Sequence, residues 1–226
     1  MIKNRKLTIT LVIYCILLYG AWAIFELLVK DGLLALTDKN DVVMQLIRSG
    51  IIKNLVWTLP ALLLVKHFEK DMAVSLKEMF TAKFQWLSVL PIFLVCIVLP
   101  LMSAWKRNGL AIADSFGWSQ VIMVVFVGIT EESVFRGWLL NSTLKYADTE
   151  AKQWLVIGIN AVLFLVIHFP IWIHDGVFLT SFQSFGFITI LLLSGVFSWL
   201  FVKTKNLLVP VALHMLYDLV VVMFIG

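Results

Sequence analysis

With 226 residues, of which 61% are hydrophobic and only 14% charged, the chain is too apolar for a soluble domain, where charged residues make up about a quarter. Its mean hydropathy is +0.97, which excludes an ordinary soluble enzyme and implies one integral membrane domain over 1–226. The net charge of +4 does not point to nucleic acid, because the basic residues sit in short loops between apolar runs, where lipid headgroups and insertion topology account for them.

Seven apolar runs are compatible with spanning: about 7–29, 50–67, 85–105, 118–141, 153–173, 182–202 and 207–225. Each crossing of roughly 30 Å of hydrocarbon needs about 20 residues. The predicted fold class is an all-α, polytopic transmembrane helix bundle of about seven spans. The first run is too long for a signal-peptide core and lacks a small-residue cleavage site, so it is expected to remain as the first span. The second is the weakest, being short and carrying Lys53, Asn54 and Pro60. Trp86 and Trp105, Trp118 and Trp138, and Trp154 and Trp172 bracket three successive runs as an interfacial belt does. Cys15 and Cys96 lie inside apolar runs, with no second ligand at metal spacing, and read as packing residues. Between the second and third runs, Met72, Leu76, Met79 and Phe80 fall at helical spacing among lysines. They fit a short amphipathic helix on the membrane surface, and a solvated loop fits equally well.

Loop charges predict orientation. Lys3, Arg5, Lys6, Lys66, Lys70, Lys77, Lys83, Lys145, Lys152, Lys203 and Lys205 fall on one side, against Lys30, Lys39, Arg48, Lys106 and Arg107 on the other. The excess places the N-terminus in the cytoplasm of a multi-pass cell-membrane protein.

The most telling stretch is Ile129-Thr130-Glu131-Glu132-Ser133-Val134-Phe135-Arg136, three charges inside a membrane-type run. A carboxylate at that depth costs about 2.5 to 3.5 kcal/mol by insertion scales, so it needs a reason. Residues four apart share a helical face, which pairs Glu132 with Arg136 and leaves Glu131 without a local cation. Asn160, Phe164 and His168 share one face of the fifth run; His214 and Asp218 lie one turn apart on the seventh. By helix rise, Glu131, His168, His214 and Asp218 stand roughly 15, 22, 10 and 16 Å from the inner ends of their runs, depths compatible with one cluster. Ionisable residues in spans face one another across a polar cavity.

A carboxylate and an imidazole can together hold and deprotonate a water, and a second imidazole, held by its neighbouring Asp218, can donate to an oxyanion. Amide hydrolysis needs both. The same residues leave a second possibility open: Glu131, His168 and His214 as ligands of a catalytic zinc, with water activated by the metal. No serine nucleophile elbow and no paired aspartate motif occurs at membrane depth.

At these residues the chain resembles the CPBP family of intramembrane proteases, which includes the CAAX prenyl endoproteases, bacteriocin-processing enzymes and the Abi proteins. The family pattern E-E-x-x-x-R, F-x-x-x-H and H-x-x-x-N stands here as Glu131 to Arg136, Phe164 to His168, and His214 to Asp218. The resemblance covers about 128–218, within catalytic core helices at 118–225. It implies that Glu131 and His168 activate water, that His214 with Asp218 forms the oxyanion site, and that Glu132 and Arg136 support them. Both a metal-free glutamate mechanism and a metallopeptidase are known readings of the family. Asp218 departs from the usual Asn, and an ionised Asp only accepts hydrogen bonds. The expected function is an intramembrane endopeptidase acting on a membrane-associated peptide, prenylated or unmodified, with no nucleic-acid partner. The competing expectation is a non-proteolytic protein: a bacteriocin-immunity or peptide-binding factor, or a small proton-coupled transporter.

Overall fold

The computed structural model describes residues 4–35 and 42–226. Lys3 and Lys39, counted among the loop charges, lie outside the described residues. Six helices are long and apolar enough to cross a membrane: α1 (Arg5–Gly32), α2 (Val42–His67), α4 (Leu90–Asn108), α5 (Trp118–Leu144), α6 (Glu150–His174) and α7 (Gly186–Thr204). The shorter apolar α8 (Leu208–Phe224) completes the bundle, and a six-residue α3 (Leu76–Thr81) lies between α2 and α4. The protein is a multi-pass helical bundle, as composition and run lengths predict. Its outer surface carries large apolar side chains such as Ile16, Leu17, Leu99, Leu155 and Leu192, the arrangement expected where lipid replaces water.

Local chemistry sets the helix limits. Asn4 caps α1 by accepting from the backbone N–H groups of Lys6 and Leu7 at 3.0 and 3.3 Å. The Thr149 hydroxyl does the same for Lys152 at the start of α6. The second span, read from the sequence as starting near Gly50, begins at Val42 and runs 26 residues. Pro60 has no N–H to give, and the backbone upstream adopts wide π turns over Leu46–Ile52 and Asn54–Thr58. The Asn54 side chain donates to the Ser49 and Gly50 carbonyls at 3.1 and 3.0 Å, satisfying groups that the wide turn leaves open.

At the centre stands α5, which packs against α2, α6, α7 and α8. All eight residues of its wide-turn segment Ser133–Leu140 are buried, so this half of the helix is enclosed by protein and its one charge, Arg136, does not meet lipid. A Cβ on Gly128 would come within 2.8 Å of Met215 Cγ; the bare glycine lets α8 approach α5 closely, which brings His214 to the two glutamates.

Two expectations change. Trp138, assigned to the interfacial belt, is fully buried between Tyr14 and Phe68. It lies on the enclosed half of α5, where apolar bulk fills the core instead of anchoring to headgroups. The segment around α3 is helical only at Leu76–Thr81, and Met72, Val74 and Met79 are buried in the protein. Asn141 holds this segment down: its Nδ2 donates to the Val74 carbonyl, and its Oδ1 accepts from the Val74 N–H, each at 2.8 Å.

Candidate active site

The two glutamates point apart, as the helical period requires. Glu132 is fully buried, and its Oε1 accepts from Arg136 Nη1 at 3.0 Å. Arg136 also donates from Nη2 to the Ser194 carbonyl and hydroxyl at 3.0 and 2.7 Å. Its guanidinium lies over the rings of Phe164 and Phe197, at 4.6 and 5.4 Å. A cation removed from water at a cost of several kcal/mol is thereby compensated at both terminal nitrogens by a carboxylate, a helix carbonyl and a hydroxyl, and across its faces by two π systems. Asn160 completes the brace: it donates to the Phe135 carbonyl at 2.9 Å and accepts from Ser198 at 3.1 Å.

His214, expected to be held by Asp218, is held more closely by Glu132, whose Oε1 lies 2.8 Å from Nδ1. Its ring stacks on Phe197 with centroids 4.9 Å apart. The free edge turns Nε2 toward Asp218 at 3.3 Å and Glu131 at 3.8 Å. One end of the imidazole is therefore anchored in the core and the other faces the partly exposed carboxylates.

On α6 the helix breaks at His168. Pro170 gives no N–H to the Val166 carbonyl, and a new turn starts at Phe169. Two side chains of α1 satisfy the carbonyls at the break: Trp22 Nε1 donates to Ile167 at 3.0 Å, and Tyr19 donates to Leu163 at 2.7 Å. His168 Nδ1 lies 2.8 Å from the Phe164 carbonyl. A carbonyl only accepts, so Nδ1 carries a hydrogen, and in the neutral imidazole Nε2 is then the nitrogen with the lone pair.

Glu131, His168 and Asp218 line one cavity of about 360 Å³. It occupies the half of the bundle remote from Arg5, reaching Lys30 and Val222 near the ends of α1 and α8. His214 stands directly behind it, in contact with Glu131 and Asp218. The cavity thus gathers carboxylate, imidazole and acceptor from three spans, with a second imidazole in its wall.

The expected zinc ligands Glu131, His168 and His214 do not form such a set. Among the described residues, no group of three or more His, Cys, Asp or Glu side chains is arranged to hold a metal ion.

The opposite wall was not foreseen from the sequence. Glu26 and Lys30 of α1 and Arg48, Ser49 and Lys53 of α2 line the same cavity. In the sequence Lys30 and Arg48 count among the loop charges, and Lys53 reads as a weakness of the second span. The available signal was a cluster of polar residues at the far ends of two otherwise apolar runs.

The family model "Type II CAAX prenyl endopeptidase Rce1-like" matches residues 113–220, the segment that carries all three motifs. No curated protein and no solved structure matches the chain.

Proposed function

Because residues 113–220 match the model of the Rce1-like family of type II CAAX prenyl endopeptidases, we propose that the chain is an intramembrane endopeptidase using Glu131 as its general base. The observation that carries this reading is the convergence of Glu131, His168 and Asp218 on one cavity, with His214 in its wall. A water held between Glu131 and His168 Nε2 gives its proton to Glu131 as its oxygen attacks the scissile carbonyl. His214 Nε2–H donates to the oxyanion that forms, and Glu132 fixes the ring through Nδ1. The proton on Glu131 passes to the departing amine as the C–N bond breaks. Asp218, 3.3 Å from the same Nε2, accepts that hydrogen and orients the ring until the oxyanion forms and takes the bond over; as a carboxylate it gives no hydrogen bond to the oxyanion itself.

The substrate is a peptide in or beside the bilayer. Leu18, Phe25, Val127 and Val222 supply an apolar lining that takes either a prenyl chain or apolar residues. Lys30 and Arg48 line the cavity and so drop out of the loop-charge count, which strengthens the bias that puts the N-terminus in the cytoplasm. The cavity then lies in the outer half of the membrane.

Comparison of peptide termini in cells carrying wild type, Glu131→Gln, or the loop control Arg107→Ala tests the reading. New termini lost only in Glu131→Gln support it. Termini identical in all three at equal protein level overturn it.

A further inference from the structure

The cation pair on α2 has no counterpart in the three motifs. Arg48 and Lys53 are five residues apart; in a regular helix they would point about 140° apart. Here the Lys53 N–H bonds to the Arg48 carbonyl, closing one wide turn and stacking both side chains on the cavity face. By helix rise they stand roughly 10 and 15 Å below the Val42 end of α2.

Each of these charges costs about 2.5 to 3.5 kcal/mol at depth by insertion scales, yet among the described residues neither forms a direct ion pair with a carboxylate. Lys30, on the same wall, is paired with Glu26 at 2.8 Å and Asp175 at 3.7 Å. Lys53 has no such carboxylate; its ammonium sits over the Trp22 ring at 4.6 Å, which holds it without cancelling its charge. Arg48 donates to the neutral Gln45 side chain. Lys53, Arg48 and Glu131 line the same space, so the cavity has a positive wall and an acidic one. Structural burial would have paired these cations as it paired Lys30 and Arg136.

We propose that Arg48 and Lys53 form a carboxylate-binding subsite, which recognises a negatively charged group of the peptide substrate while Glu131 acts on a neighbouring peptide bond. This deepens the endopeptidase reading and rests on it for the identity of the ligand as a peptide. The carboxylate is either the α-carboxylate of a free C-terminus or an acidic side chain. Repulsion by Glu131 keeps it on the α2 side, so the pair fixes which way the peptide lies across the catalytic carboxylate.

The test measures binding, so it does not depend on cleavage. Full-length protein carrying Glu131→Gln in phosphatidylcholine nanodiscs is titrated with three fluorescein-labelled peptides of one apolar sequence. One ends in a free carboxylate, one in a carboxamide, and one in a carboxamide with a single internal Glu. The expected result is that at least one carboxylate peptide binds roughly ten- to hundredfold more tightly than the neutral peptide, as for a hydrogen bond to a charged group. Preference for the free terminus identifies the α-carboxylate; preference for the Glu peptide identifies a side chain. The preference is lost in Arg48→Met and Lys53→Met and persists in Lys53→Arg, which keeps the charge and separates recognition from misfolding. Equal binding of all three peptides, including none detectable, overturns the subsite. Retained proteolysis by Glu131→Gln overturns the endopeptidase mechanism separately.

Discussion

Glu132 Oε1 is shared between His214 Nδ1 at 2.8 Å and Arg136 Nη1 at 3.0 Å. One oxygen thereby ties α5 to α8 and fixes the imidazole that faces the cavity. Both partners on α5 are wholly buried, so removing either leaves a charge without its counterion. Arg136→Ala is expected to destabilise by about 3 to 5 kcal/mol, read as a large fall in thermal midpoint in detergent. The pair replacement Glu132→Gln with Arg136→Met removes both charges and should recover much of that stability. Cleavage should stay lost in the pair, because the ion pair no longer holds His214. A small stability loss for Arg136→Ala alone would show that the ion pair contributes little to holding the helices together.

Glu131 offers the opposite profile. Its side chain is 25% exposed, and its one ion contact among the described residues is to His214 at 3.8 Å. Glu131→Gln therefore should fold and melt like wild type while the cleavage rate falls by about 10² to 10⁴, the usual contribution of general acid–base catalysis. A comparable loss of stability and rate together would assign Glu131 to structure.

The spans and the three motifs were legible because both depend on local pattern. An apolar run of about 20 residues and the four-residue spacing of Glu132 and Arg136 are visible without tertiary structure. The His214–Glu132 bond was not legible, because spacing along α8 favours Asp218, while the bond to Glu132 depends on how closely Gly128 lets α8 approach α5. The wall of Arg48 and Lys53 was hidden for a related reason. Helical periodicity at 3.6 residues separates the two, and only the wide turn stacks them. Trp138 misled because tryptophan favours both interfaces and cores, and its place was decided by the burial of its neighbours.

Outside the spans, Asp71 joins three segments: it accepts from Tyr146 at 2.6 Å and from Asn4 at 2.8 Å. These bonds hold its carboxyl below the ordinary value, the Tyr146 bond being the larger cause, while Tyr146 is pushed up to about 12, chiefly by its bond to Asp71. A carboxylate whose pKa is lower folded than unfolded contributes stability that is fully present above its unfolded pKa of about 3.9 and is lost as pH falls through the lower folded value. The tyrosine contributes below about 10, and that contribution is lost as pH rises toward 12. Melting curves of wild type and Asp71→Asn should therefore differ near neutral pH and converge under acid. A constant gap at all pH values would remove the ionised carboxylate from the explanation.

Removal of metal tests the side-chain mechanism directly. With Glu131 itself as the base that takes the water's proton, as proposed above, cleavage by purified protein is expected to survive exhaustive chelation. Loss of activity on chelation, with recovery on adding zinc alone, would replace Glu131 as the agent that activates water.

The last prediction concerns the break in α6, where the position of His168 depends on a helix that makes no chemistry of its own. Trp22 Nε1 donates to the Ile167 carbonyl at 3.0 Å, next to the histidine, in a segment where Pro170 has already removed a backbone donor. Trp22→Phe keeps an aromatic ring beneath Lys53 but leaves this carbonyl unsatisfied, at about 1 to 3 kcal/mol for a buried group. The break can then shift, carrying His168 Nε2 away from the water it shares with Glu131. The expected outcome is a fall in kcat with little change in KM, since the cavity wall and the α2 cations remain. A rise in KM alone would instead make Trp22 part of substrate binding. Trp22→His, whose ring nitrogen can again donate, should recover part of kcat if the hydrogen bond is the cause.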